Sequence, residues 1–190
     1  MVRWEPGAAE RLQAAALELY ARQGFEQTTA TDVARAAGLT ERTFFRYFAD
    51  KREVLFAGQE EFQQGFLDGV AAAPEGGSAL DTVAFALDAA ASFFPDERRA
   101  HARLRQSVIS ANPGLQEREL LKLAALADGI AAALRARGVA EPRATLAAQT
   151  AVTVFGVAFR RWTEEGEERS LAAVEADTLA DLRALAGALG

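Results

Sequence analysis

The chain has 190 residues, half of them apolar and none a cysteine, with 27 acidic against 21 basic residues for a net charge of −6. That composition excludes disulfides, thiolate metal sites and cysteine nucleophiles. No apolar run reaches the ~20 residues of a membrane span and no signal-peptide core opens the chain, so the expectation is a soluble, cytoplasmic protein with no membrane partner, metal or cofactor.

The abundance of alanine, the scarcity of Gly and Pro inside long stretches and the lack of strand-like alternation predict an all-α protein. The first helix is predicted over about Ala8 to Gln23, ending at Gly24, since glycine accepts the left-handed conformation of a helix end. Thr29 caps a second helix, with Asp32 three residues on as the reciprocal carboxylate, and Val33 and Ala37 on its inner face. Gly38 makes the turn, its missing Cβ expected to let two helices approach closely. Thr40 caps a third helix over Glu41 to Phe48, with Thr43 at its third position and Phe44 and Phe48 four apart on one face. Asp50 with Glu53 repeats the capping pattern and opens a fourth helix. So short a third helix, flanked by caps, has the size that enters a DNA major groove.

These residues resemble the tetracycline-repressor (TetR) family of transcriptional regulators. The pattern is an amphipathic helix, then Gly24-Phe25, Thr28-Thr29, Asp32-Val33-Ala34, Ala37-Gly38-Leu39-Thr40, Thr43-Phe44-Phe45, Tyr47-Phe48 and Lys51, within roughly the first 56 residues. One position departs: the family commonly carries tyrosine where this chain has Phe45, which removes a hydroxyl from the DNA side. The resemblance implies an Ω-shaped homodimer. Its N-terminal three-helix domain (1–50) would bind a palindromic operator, and its C-terminal helical domain (51–190) would dimerise and hold a small-molecule effector.

Read as chemistry, the third helix presents Glu41, Arg42, Phe45 and Arg46 outward. Arg42 and Arg46 lie four apart, each able to donate two hydrogen bonds to a guanine edge, and Arg46 is equally suited to a phosphate. Phe45 is placed to meet a thymine methyl. Glu41 either accepts from cytosine N4 or pairs with a neighbouring arginine. Thr29, Thr40, Thr43, Tyr47 and Lys51 complete the expected DNA set. The resemblance implies phosphate contacts for most of these, and Lys51 with the fourth helix's amides would make one anion site. An arm with Arg3 and Trp4 is expected to reach the backbone. Residues 1–57 hold eight basic and eight acidic residues, so the acidic excess lies wholly outside this head. A neutral head can bind if its arginines share a face, because phosphate attraction acts over about one Debye length.

A fourth helix is predicted from Lys51 to about Ala72, with Leu55, Phe62, Phe66 and Val70 on one stripe. Pro74 to Ser78 breaks the chain. Further helices follow at about 79–94 and 96–111, then, after a break at Asn112-Pro113-Gly114, one that runs to Arg137, and others at about 142–166 and 170–189. The aromatic set Phe62, Phe66, Phe85, Phe93, Phe94, Phe155, Phe159 and Trp162 reads either as the wall of an apolar effector pocket or as core packing. His101, Leu104 and Val108 join that candidate pocket on one stripe. His101 reads otherwise as a packed residue or one bonded to a backbone carbonyl, and Arg98, Arg99, Arg103 and Arg105 around it read as solvated, with an anionic ligand site as the alternative. The eighth helix is apolar on two faces, which means burial on two sides. One face would meet its own core. The other, Leu146, Thr150, Val154, Val157 and Arg161, would meet a partner chain together with Leu182 and Leu185 of the last helix.

The expected function is a sequence-specific DNA-binding regulator, a repressor released by a small apolar or amphipathic ligand. The alternative is a ligand-independent DNA-organising or partner-recruiting protein with the same head, which predicts a solid second domain. An enzyme is rejected: neither Asp96 with Glu97 nor Ser107 with His101 brings a recognisable motif or a third orienting group.

Overall fold

A computed structural model describes residues 7–188, so the Arg3–Trp4 arm and Leu189 lie outside the described residues. Among these residues are nine α-helices and two 3-10 turns. The chain forms two compact units: one comprises the chain through Gly58 with Leu104–Glu119, the other Gln59–Arg103 with Leu120–Gly190.

In the first unit, α1 (Ala8–Gln23), α2 (Ala30–Ala36) and α3 (Glu41–Tyr47) close on a core that includes Leu12, Ala16, Tyr20, Phe25, Val33, Phe44 and Phe48. The caps predicted for α2 and α3 are present. Thr29 Oγ1 accepts from the Asp32 amide at 3.1 Å, while the Asp32 carboxylate accepts from the Thr29 amide, also at 3.1 Å. The Thr43 amide donates to Thr40 Oγ1 at 3.2 Å. At Gly38 the reason for glycine differs from the expected one. Its φ is +69° and nothing lies within 4 Å of where a Cβ would stand, so backbone conformation and not close helix approach requires it.

The predicted fourth helix is interrupted. A 3-10 turn, Glu53–Phe56, is followed by Gly58 at φ +81°, and only then by α4 (Gln59–Ala72). The supposed single stripe serves two cores: Leu55 is buried with the head, whereas Phe62, Phe66 and Val70 are buried in the second unit. The packing also does not follow a 1–50/51–190 division. Val108, Ile109 and Leu115, at the junction of α6 (Arg99–Ser110) and α7 (Pro113–Ala136), are buried in the head's core and draw residues 104–119 into that unit. Two ion pairs hold them there, Arg105 with Glu119 at 3.2 Å and Arg118 with Glu53 at 2.6 Å.

The second unit packs α4, α5 (Ala79–Ala91), α8 (Arg143–Trp162) and α9 (Leu171–Gly187) around one core. Ser78 and Asp81 form a capping box at the start of α5. At Gly69 a Cβ would stand 2.5 Å from the Phe85 carbonyl oxygen and 2.6 Å from Ala86 Cα, so here a missing side chain sets how closely α4 and α5 approach. Phe93 and Phe94 follow the end of α5, and a 3-10 turn, Asp96–Arg98, precedes α6.

Arg98 and Arg103 are exposed as expected, but Arg99 and Arg105 are partly buried, and Arg99, Arg103 and Arg105 are all bonded to backbone carbonyls. Arg103 donates to the carbonyls of Thr163 (2.6 Å) and Glu164 (2.9 Å), just past the end of α8. Arg99 donates to the carbonyls of Glu167 and Arg169, and Arg105 to that of Leu55. Arg137 does the same for Ala71, Ala73 and Pro74 at the end of α4. The last carbonyls of a helix have no partner within it, and a cation there satisfies them and complements the helix dipole. No described helix is long and apolar enough to cross a membrane.

Candidate nucleic-acid interface

The surface of α3 follows from its register. Phe44 is fully buried and Phe48 nearly so, and their rings, 5.6 Å apart, anchor the helix to α1 and α2 through the shared core. The opposite face then carries Glu41, Arg42, Phe45 and Arg46, all exposed. Phe45 is 51% exposed, unusual for a phenylalanine held edge-on against a buried ring at 5.4 Å. Arg42 and Arg46 stand one turn apart, and the Arg46 guanidinium lies 5.1 Å from the Tyr47 ring centre. Two bidentate donors and an exposed aromatic on a rigid helix can read base edges in a major groove.

Thr29, Thr40 and Thr43 are at the rim, but their hydroxyls are already engaged. Thr29 Oγ1 donates to Asp32 at 2.6 Å, and the Thr40 and Thr43 hydroxyls are 2.9 Å apart. Hydrogen bonds from Thr29 hold the Asp32 carboxyl below its ordinary range.

Lys51 departs most from expectation. Its ammonium donates to three carbonyls, Phe25 (2.9 Å), Thr28 (3.2 Å) and Glu26 (3.3 Å), and lies 4.3 Å from the Phe25 ring centre. Its own carbonyl accepts from Tyr20 Oη at 2.7 Å, and burial pushes that phenol's pKa up. All three ammonium protons therefore have partners inside the head. The long helix whose amides were to complete an anion site starts only at Gln59. Asp50 caps the intervening turn by accepting from the Arg52 and Glu53 amides. The sequence reading missed the Lys51 and Tyr20 bonds because their partners lie more than twenty residues away.

In the second unit, seven of the eleven candidate pocket residues come together: Phe62, Phe66, Phe93, Phe94, Phe155, Phe159 and Trp162 form a connected set with ring centres 4.9–6.1 Å apart. They touch one another in the core. The other four lie elsewhere. Phe85 is 45% exposed, His101 and Leu104 are on the surface, and Val108 belongs to the head's core. The stripe through His101, Leu104 and Val108 was read with one inner face, but α6 turns its apolar residues Ala102 and Val108 to two different cores.

Of the residues assigned to a partner-facing surface, Leu146, Val157, Arg161 and Leu185 are exposed, and Thr150 and Leu182 partly so. Val154 is the exception, buried in the chain's own core at 1% exposure because its side chain falls between Ala151 and Ala158 on the inner face of α8. Asp96 accepts from Arg99 and Trp162, and Ser107 Oγ donates to the Leu104 carbonyl. No described group of three or more histidine or acidic side chains is arranged to hold a metal ion.

Residues 12–57 match the family model described as bacterial regulatory proteins, tetR family. Over 164 residues, 85% of this chain and 81% of the relative, the sequence is 29% identical to MftR of Mycobacterium tuberculosis, a proposed regulator of mycofactocin biosynthesis. A shorter stretch of 74 residues, 39% of this chain and 33% of the relative, is 38% identical to the HTH-type transcriptional regulator TcmR of Streptomyces glaucescens. The fold resembles the crystal structure of FadR from Thermus thermophilus, a TetR-family transcriptional repressor in complex with lauroyl-CoA. The TM-score is 0.55 and the identity 25%, over 90% of this chain and 91% of that one.

Proposed function

Because the chain belongs to the TetR family of transcriptional regulators, we propose that it acts in the cytoplasm as a homodimeric repressor of a palindromic operator. The observation that carries this reading is the outward face of α3, where Arg42, Phe45 and Arg46 are exposed above a rigid aromatic anchor. Each protomer contributes one recognition helix, and two of them fit half-sites about one DNA turn apart. In this reading the dimer surface is made by the exposed Leu146, Val157, Arg161 and Leu185 with the partly exposed Thr150 and Leu182, which would meet the same patch of a second copy about a two-fold axis.

An effector that binds one dimer geometry better than the other releases the operator by population shift. The acyl-CoA bound by the Thermus relative suggests an amphipathic ligand here too. The ligand-independent reading is favoured by one observation, the direct ring-to-ring packing of the aromatic set where an apolar pocket was expected.

Selection of bound sequences from a random duplex pool at stated salt tests the DNA reading. Enrichment of one palindrome is expected, with Arg42→Ala relaxing the preference at one base position and weakening binding by about 1–3 kcal/mol. A well-folded protein that enriches no sequence overturns it.

A further inference from the structure

The second unit holds a cleft of about 430 Å³ between the end of α5, the segment Phe94–Glu97 and the first turn of α9. That volume lies in the range of small-molecule sites. Its charged lining is of one sign: Asp88, Asp96 and Glu97, with no lysine, arginine or histidine among the described lining residues. Asp96 is matched by Arg99 at 2.6 Å, while Asp88 and Glu97 have no hydrogen-bond or ion-pair partner among the described residues. Phe94, Pro95 and Leu171 make an apolar wall.

Beside this cleft lies a carboxyl group that the fold leaves unsatisfied. Glu175 is 1% exposed, and neither of its carboxylate oxygens has a hydrogen-bond partner. It stands on α9 one turn after the lining residues Leu171 and Ala172. Side chains on a helix lean toward its N-terminus, which sets the Glu175 carboxyl directly behind the lining residues Leu171 and Ala172 and not among the lining itself. The charged group acting on it is Asp88 of α5. The neighbouring α8 buries only alanine, valine, phenylalanine and tryptophan, and its arginines 143, 160 and 161 are exposed. A buried acceptor without a donor costs free energy, and nothing within the protein offsets that cost here.

We propose that this cleft binds an organic cation, an amine whose ammonium enters between Asp88 and Glu175 and whose apolar body lies on Phe94, Pro95 and Leu171. An ammonium brings three donors and a positive charge, which matches two unpartnered carboxylate oxygens beneath an acidic mouth. An anionic head such as that of an acyl-CoA would face three carboxylates and is disfavoured. In the empty protein, burial first and Asp88 second push the Glu175 pKa up to about 9, so it carries a proton at neutral pH. Arrival of a cation favours the ionised form, and the proton leaves to solvent.

This inference rests on the second unit being an effector module, and its test separates the two. Calorimetry on the full chain at pH 7.5 would compare hexylamine with hexanoate in buffers of different ionisation enthalpy. Saturable binding of hexylamine, at least tenfold tighter than hexanoate, is expected, with release approaching one proton per site. Glu175→Gln, an isostere of the protonated acid, is expected to keep the melting temperature at or above that of the unaltered chain. It should abolish proton release and weaken the amine at least tenfold, while Asp88→Asn weakens it too. Equal binding of amine and carboxylate, no binding of either, or proton release unchanged in Glu175→Gln would overturn the site. Operator binding is then measured with hexylamine present. Amine binding without operator release leaves the cation site standing and removes the effector role. Release by a different compound, with no amine binding, does the reverse.

Discussion

The two compact units satisfy their polar groups over different distances. In the head, helix starts are closed by neighbours three residues away: Thr29 with Asp32, Thr40 with Thr43, Asp50 with Glu53. In the second unit, helix ends are closed by arginines some sixty residues distant, Arg103 at the end of α8 and Arg137 at the end of α4. Short helices cannot rely on length for stability and need local caps. Long helices are held by their packed faces, and their orphan carbonyls are met by whichever cation the fold brings near. The head's helix starts are therefore written locally, while its closure depends on distant contacts: Lys51 on three carbonyls, Arg105 on the Leu55 carbonyl and Arg118 on Glu53. The second unit caps α5 and α9 locally too, at Ser78 and Ser170, but closes the ends of α4 and α8 only on folding.

The largest expected effect tests whether the two units have separate cores. Phe44→Ala should cost about 3–5 kcal/mol. By hydrogen exchange it should strip protection from α1–α3 while α5 and α8 remain protected; simultaneous loss everywhere would mean one cooperative core. Next, Arg103→Met removes the distant cap of α8 and should cost about 1.5–3 kcal/mol by denaturant unfolding, as expected for bonds to a charged donor.

Glu175 gives the second unit a pH signature that crosses the neutral range. The folded carboxyl holds its proton up to about pH 9, whereas an unfolded one releases it near 4.5. Stability should therefore fall as pH rises through that window, by at most ~1.4 kcal/mol per pH unit for one proton. Thermal unfolding at pH 6 and pH 8 should show this slope, and Glu175→Gln should flatten it and be the more stable of the two at pH 8. The smallest effect is Thr40→Ala, at about 1 kcal/mol, confined to the head. A loss as large as that of Phe44→Ala would show that the cap and not the ring anchors α3.

Much of the head is legible in the sequence. The caps at Thr29 and Thr40 and the inward Phe44 with outward Arg42, Phe45 and Arg46 depend on spacings of three and four residues. The second unit was readable as helices but not as surfaces. Phe85 looks as apolar in the sequence as Phe62, yet one faces outward and the other lies in the core. Val154 was placed on a partner-facing stripe and is buried within the chain instead. A helix's pattern marks its apolar positions without saying which neighbour each one meets.

The sequence by itself determined the all-helical class, the helix-turn-helix and the direction in which α3 points, because capping, turn chemistry and helical periodicity act within a few residues. Only the tertiary structure decided that Lys51 holds the head together, that α6 and α7 lend residues 104–119 to the head's core, and that an unpartnered carboxyl lies beside an acidic cleft. Those outcomes depend on contacts between residues far apart in the chain, and the chain's order carries no local signal of them.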